Sequence, residues 1–281
     1  MPIYEQTYRR YEARGPLRKA RFWPITREAL RLILAKRAFL GLLVLSWLPF
    51  FGFLLYIFAV TRFPVVGRVV PVDGRLFGEF MAVQIQFSLL VTVFGGAGLV
   101  ANDLRTGAIL VYLSRPLTRR DYVAGKLGVL LALNFAVTLA PGLLLYVLGA
   151  ALAPDQLFKR DLAWIAPAVL LQSLVLSLVM SLVALAISAL SRSARVAGVG
   201  FFALTLALGV VSLILRGILR SRLVGLLSLW DDVRSVGDAL FGVARRGETL
   251  PWHYAVLVLA AICLASLAIL RSRVRAVEVV T

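Results

Sequence analysis

Residues 103–126, DLRTGAILVYLSRPLTRRDYVAGK, form a long polar, charge-bearing segment with an ordered internal pattern, set between two strongly hydrophobic runs. That position decides the fold, because a run ending at Ala101 and another starting at Tyr122 read as two helices joined at one face of a membrane. Within the segment, Asp103 is placed to cap a short helix, since its carboxylate can accept the free N–H groups of a first turn. Gly107, Ile109, Leu110 and Leu113 supply an apolar edge beside Arg105 and Thr106. Ser114-Arg115-Pro116 ends that helix, because proline drives the residue before it out of helical geometry. Thr118 caps the next helix, with Asp121 three residues on in the place that Glu or Gln takes in a capping box. Lys126 falls just inside the next apolar run.

Outward from this segment the chain is apolar. Of 281 residues 60% are hydrophobic, and the mean hydropathy is +0.90, above the range of soluble domains. Six runs, at about 38–60, 80–101, 122–150, 162–190, 196–215 and 252–270, each reach the roughly 20 residues needed to cross a hydrocarbon core. The predicted fold is therefore all-α, with six transmembrane helices in one domain over 38–270. Pro49, Pro141 and Pro167 fall inside spans, where each bends a helix and frees a carbonyl that a neighbour must satisfy.

Before the first run, Ile25, Ala29, Leu30, Ile33 and Leu34 recur at helical spacing among Arg27, Arg31, Lys36 and Arg37. This predicts an amphipathic helix over Pro24–Arg37 lying in the membrane interface, after a basic tail. No secretory signal fits the long charged start, so the first span is expected to stay as an anchor. Residues 271–281 form a second tail.

The net charge of +17 would point to nucleic acid in a soluble chain. Here the basic residues cluster at the ends of apolar runs, where membrane orientation explains them, and no nucleic-acid partner is expected. With both termini in the cytoplasm, the inner segments hold 20 Lys and Arg against 11 outside. The discordant stretch is 216–251, expected outside yet carrying Arg216, Arg220, Arg222, Arg234, Arg245 and Arg246. Its apolar residues form amphipathic turns that Gly225, Gly237 and Gly242 can break, and a cytoplasmic interfacial helix with one span miscounted is the other placement.

The spans offer no chemistry of their own. Away from their ends they contain no Asp, Glu, Lys or Arg except Lys126, whereas proton-coupled carriers and pumps normally carry such groups. HExxH, GxSxG and Walker A motifs are absent, Cys263 is the only cysteine and His253 the only histidine. The chain is predicted to be non-catalytic, with no metal site and no cofactor, so energy for uphill movement must arrive from another subunit. Ser173, Ser177 and Ser181 repeat every four residues and share one helix face, which fits either close helix packing or the lining of a translocation path. Gly95, Gly96 and Gly98 fit either close packing or a flexible joint before Asp103.

In order and spacing, Asp103, Gly107, Leu113, Pro116, Arg119, Arg120, Gly125 and Lys126 resemble the cytoplasmic stretch between the second and third spans of type 2 ATP-binding cassette (ABC) export permeases. That family more often has Glu at the position of Asp103. The resemblance implies an interfacial elbow helix at the N-terminus, a coupling helix docked into a groove of a separate ATPase subunit, and short helices in 216–251 dipping back into the outer leaflet between the fifth and sixth spans. It implies a permease acting as a homodimer or paired with a second permease, with two ATPase copies holding ATP and Mg. The place implied is the cytoplasmic membrane. Asp103, Gly107, Leu110, Leu113, Ser114 and Pro116 would serve ATPase coupling, and Arg119, Arg120 and Lys126 would hold the turn at lipid headgroups. A non-transporting scaffold and a passive channel are the other readings of the same span set, and the substrate is open.

Overall fold

The computed structural model describes residues 22–63, 72–109, 117–152, 162–191, 193–243 and 251–274. Among them the structure is helical without strands, and six helices or helix pairs are long and apolar enough to cross a membrane: Arg37–Arg62, Gly74–Arg105, Arg119–Leu152, Ile165–Leu190, Ala194–Leu219 and Trp252–Arg273. The chain is a multi-pass all-α membrane protein. A first helix, α1 (Trp23–Leu34), precedes them and buries Ile25, Thr26 and Ile33.

Three of the six are interrupted, and each interruption has a cause in the sequence. Pro49 and Pro141 cannot donate to the carbonyl four residues back and would clash with it. The first passage accordingly splits into α2 (Arg37–Leu45) and α3 (Leu48–Arg62), and the third into α6 (Arg119–Val137) and α7 (Leu139–Leu152). The second passage breaks at Ala97 between α4 (Gly74–Gly96) and α5 (Gly98–Arg105), in the glycine cluster. Pro167, by contrast, sits in the first turn of α8 (Ile165–Leu190), where a missing N–H costs nothing.

Freed backbone groups have no water to turn to in a membrane, so soft polar side chains meet them. The Gln84 amide donates to the Ser46 carbonyl at 3.2 Å, and the Trp47 indole donates to the Ala136 carbonyl at 3.2 Å. Ser188 serves the Ala97 break from both sides: its hydroxyl donates to the Ala97 carbonyl at 2.8 Å and accepts from the Val100 and Ala101 amides at 3.2 and 3.0 Å. Ser88 and Thr92 of α4 bond Asn134 of α6, tying the second passage to the third.

The most enclosed passage is α8, which packs against α4, α6, α9 (Ala194–Leu219) and α11 (Trp252–Arg273). Stretch 216–251 begins as the last turn of α9, passes through a 3-10 turn at Arg222–Leu227, and continues as α10 (Leu229–Leu240). Helix α10 buries Val233 and Val236 against the bundle, and Gln172 of α8 donates to the Val233 carbonyl at 3.0 Å. Part of the unexpected positive charge there is neutralised, since Arg216 pairs with Asp231 and Arg234 with Glu79 of α4 at 3.4 Å.

Candidate functional site

At the bundle end where α5 leaves and α6 returns, the flanks of segment 103–126 are clamped together. Asp103 lies inside the last turn of α5, and its Oδ2 is 2.7 Å from Lys126 Nζ and accepts the Tyr122 hydroxyl at 2.8 Å. The ammonium also stands 5.5 Å from the centre of the Tyr122 ring, within cation–π range. The Lys126 side chain is 6% exposed and that of Asp103 16%, so both charges are largely withdrawn from water. Such a pair persists because removing either partner strands the other charge.

Two expectations are corrected here. Asp103 does not cap a following helix, because α5 runs through it and its carboxylate is committed to Lys126 and Tyr122. Lys126, expected at headgroups, is placed about two turns inside α6, buried and paired with Asp103. Arg119 and Arg120, in the first turn of α6, are exposed. The capping box is present as expected, with Asp121 N donating to Thr118 Oγ1 at 3.2 Å and Thr118 N to the Asp121 carboxylate at 3.0 Å.

Gly107 follows the C-cap of α5 with a φ of +71°, a left-handed conformation that ends a helix and that glycine adopts without strain. Ile109 then turns back to bury itself against Tyr122 of α6 and Val274 beyond α11. Leu110, Leu113, Ser114 and Pro116 lie outside the described residues.

Helix α1 is the third element of the clamp. Thr26 Oγ1 donates to the Gly125 carbonyl at 2.9 Å, and a Cβ at Gly125 would lie 3.0 Å from Ile25 Cβ and 3.1 Å from the Phe22 carbonyl. The Gly125-Lys126 pair thus has a physical meaning: glycine admits α1, and lysine locks α5. We predict that Gly125→Val lowers thermal stability by about 1–3 kcal/mol through overpacking, whereas Gly41→Ala, where nothing lies within 4 Å of the added atom, is neutral or better. Equal melting temperatures for the two variants would contradict this.

Sequence reading missed Thr26 and Tyr122 as parts of this site and placed Ile109 only on the apolar edge of the segment. Tyr122 carried a usable signal, since it stands four residues before Lys126 on the same helix face.

Ser173, Ser177 and Ser181 are each fully buried, and their hydroxyls find no hydrogen-bond partner among the described residues. Enclosure on this scale fits close packing of α8 better than the wall of an open path. Among the described residues no group of three His, Cys, Asp or Glu is placed to hold a metal.

A separate ionisable group stands at the opposite end. Asp232 of α10 is fully buried, and neither carboxylate oxygen has a partner among the described residues. Burial first, and the neighbouring Asp231 second, push its pKa up to about 8. In the unfolded chain the group releases its proton near pH 3.8, so wild-type stability should fall as pH rises from about 4 and level off above 8. Asp232→Asn should remove that slope and give a higher melting temperature than wild type at pH 8, read by a thermal-shift series. A wild-type profile flat from pH 4 to 8 would contradict the burial of this acid.

No family model matches the chain, and no curated protein matches it.

Proposed function

We propose that the chain is the membrane-spanning permease subunit of an ATP-driven ABC exporter. The observation that carries this reading is the clamp: segment 103–126, whose residue order resembles the coupling stretch of type 2 permeases, is bound at its base to α5, α6, α1 and the end of α11. A surface pushed by a partner must not slide relative to the helices it moves. Here the Asp103–Lys126 pair makes displacement of the segment a displacement of both passages.

In this reading two ATPase subunits bind ATP and Mg and dock against the coupling helix at about 103–114, with Leu110 and Leu113 entering the ATPase groove. Closure of the ATPase pair shifts the segment, and the break at Ala97, held by Ser188, lets α5 tilt against α4. The bundle works as a dimer, with a second copy or a related permease, in the cytoplasmic membrane with both termini inside. Arg119 and Arg120 rest at anionic headgroups there. The chain itself contributes no catalytic residue.

The test is affinity purification of the full chain in mild detergent together with the products of neighbouring reading frames. An ATPase that stays bound, and whose hydrolysis is lost with Leu113→Asp, supports the proposal. Its absence from both preparations moves a scaffold or a passive channel to the front.

A further inference from the structure

Beside the clamp lies a cavity of about 880 Å³ between α1, the α4–α5 passage and α9. Its polar lining is gathered at one end, where Glu28, Lys36, Asn102 and Arg195 form a rim beside the Asp103–Lys126 pair. The rest is apolar, with Leu90, Val93, Phe94, Val199, Phe202 and Ala203 as its walls. Phe94 and Val199, at 67% and 69% exposure, border the apolar part and leave it open sideways to hydrocarbon.

The charges of the rim do not cancel. Asp103 and Lys126 neutralise each other at 2.7 Å. Among the described residues Lys36 and Arg195 take part in no ion pair, and Glu28 offsets one of them, which leaves a net single positive charge. From Leu90 to Asp103 the α4–α5 wall runs about 20 Å at 1.5 Å per residue, the depth of one hydrocarbon leaflet plus its headgroup layer. A two-fold copy seated face to face on this groove would bring a rim of the same charge towards this one.

We propose that this groove holds one anionic phospholipid from the leaflet beside α1, its phosphate between Lys36 and Arg195 and one acyl chain along α4 and α9. Basic pockets between spanning helices bind such headgroups, and the apolar wall supplies the chain's share of the affinity. The lipid fills the space between α1 and α9 next to the clamp. This assignment is independent of any ATPase.

Native mass spectrometry of the detergent-purified full chain, titrated with phosphatidylglycerol or with phosphatidylcholine of the same chain length, tests it. One phosphatidylglycerol per chain should bind more tightly than phosphatidylcholine. Lys36→Gln with Arg195→Gln should weaken phosphatidylglycerol about thirtyfold and leave phosphatidylcholine unchanged. Ala203→Trp, which fills the apolar end, should displace both lipids, and Leu213→Trp, on an exposed part of α9, neither. All four positions are exposed, so the variants should fold. Equal wild-type affinity for the two lipids would overturn the proposal, as would phosphatidylglycerol binding unaffected by the basic-rim or the Ala203 change. A disulfide forming between two copies of a Val199→Cys variant would also overturn it, by placing a second copy in the groove.

Discussion

Replacing Lys126 with Met is expected to lower the melting temperature by about 10 °C and, under the permease proposal, to abolish ATP-driven transport. The substitution leaves the Asp103 carboxylate in a largely buried position with the Tyr122 hydroxyl as its remaining polar contact. Breaking a buried pair from one side costs about 3–5 kcal/mol, and at this chain length each kcal/mol moves the midpoint by roughly 2–4 °C. The double variant Asp103→Leu, Lys126→Met removes both charges and should recover most of the lost stability, because an apolar pair of similar volume carries no desolvation cost. Transport should stay lost in the double variant, since stability returns without the lock between α5 and α6. The reversed pair, Asp103→Lys with Lys126→Asp, should restore part of both properties. Thermal melts of the three variants, set beside transport in reconstituted vesicles, check this. A single variant as stable as wild type would contradict the buried ion pair, and a double variant that transports normally would contradict its role in coupling.

Gly74→Ala is expected to be the most damaging single-methyl change in the bundle. Gly74 opens α4 immediately after Asp73, whose side chain caps the helix by accepting from the Arg75 and Leu76 amides. An added Cβ would stand 2.3 Å from the Phe241 carbonyl oxygen and 2.6 Å from the Trp164 ring. The oxygen belongs to the backbone at the end of α10, which no rotamer change can move, and the ring is the bulky side chain of Trp164 at the start of α8. Overpacking of this kind costs about 3 kcal/mol, enough to loosen α10 from the bundle. Midpoint and trypsin sensitivity of the 216–251 stretch should both change, while Gly41→Ala changes neither. An alanine variant with wild-type stability would show that α4, α8 and α10 do not meet as described.

The two ends of the molecule differ in how far they are legible in the sequence. Six apolar runs stand out because hydrocarbon demands length and apolarity, and Pro49 and Pro141 mark two of the three breaks. The start of α4 at Gly74, six residues before the apolar run, does not stand out in the hydropathy, although Asp73 is a good N-cap residue and Glu79 merely interrupts the pattern. The break at Ala97 depends on Ser188, 91 residues away, and no local pattern announces a partner at that distance. Lys126 shows the same limit: a lysine near the end of a span reads as a headgroup anchor until the fold places Asp103 beside it. Asp232 is within reach of sequence reasoning, since Leu229, Val233 and Val236 put it on the apolar face of α10. In segment 103–126 the order of residue types is legible, whereas the Thr26, Ile109 and Tyr122 contacts that hold its base arise from packing alone.

If segment 103–126 is a docking surface for an ATPase, the partner must touch it directly. The most direct test is site-specific photo-crosslinking from position 113, in the full chain expressed with its genomic neighbours, with position 213 on the exposed face of α9 as the control. Docking predicts a crosslink from position 113 to a subunit carrying a Walker A motif, weakened in the Lys126→Met background and absent from position 213. Capture of such a subunit from position 213 but not from 113, or of none from either, would contradict it.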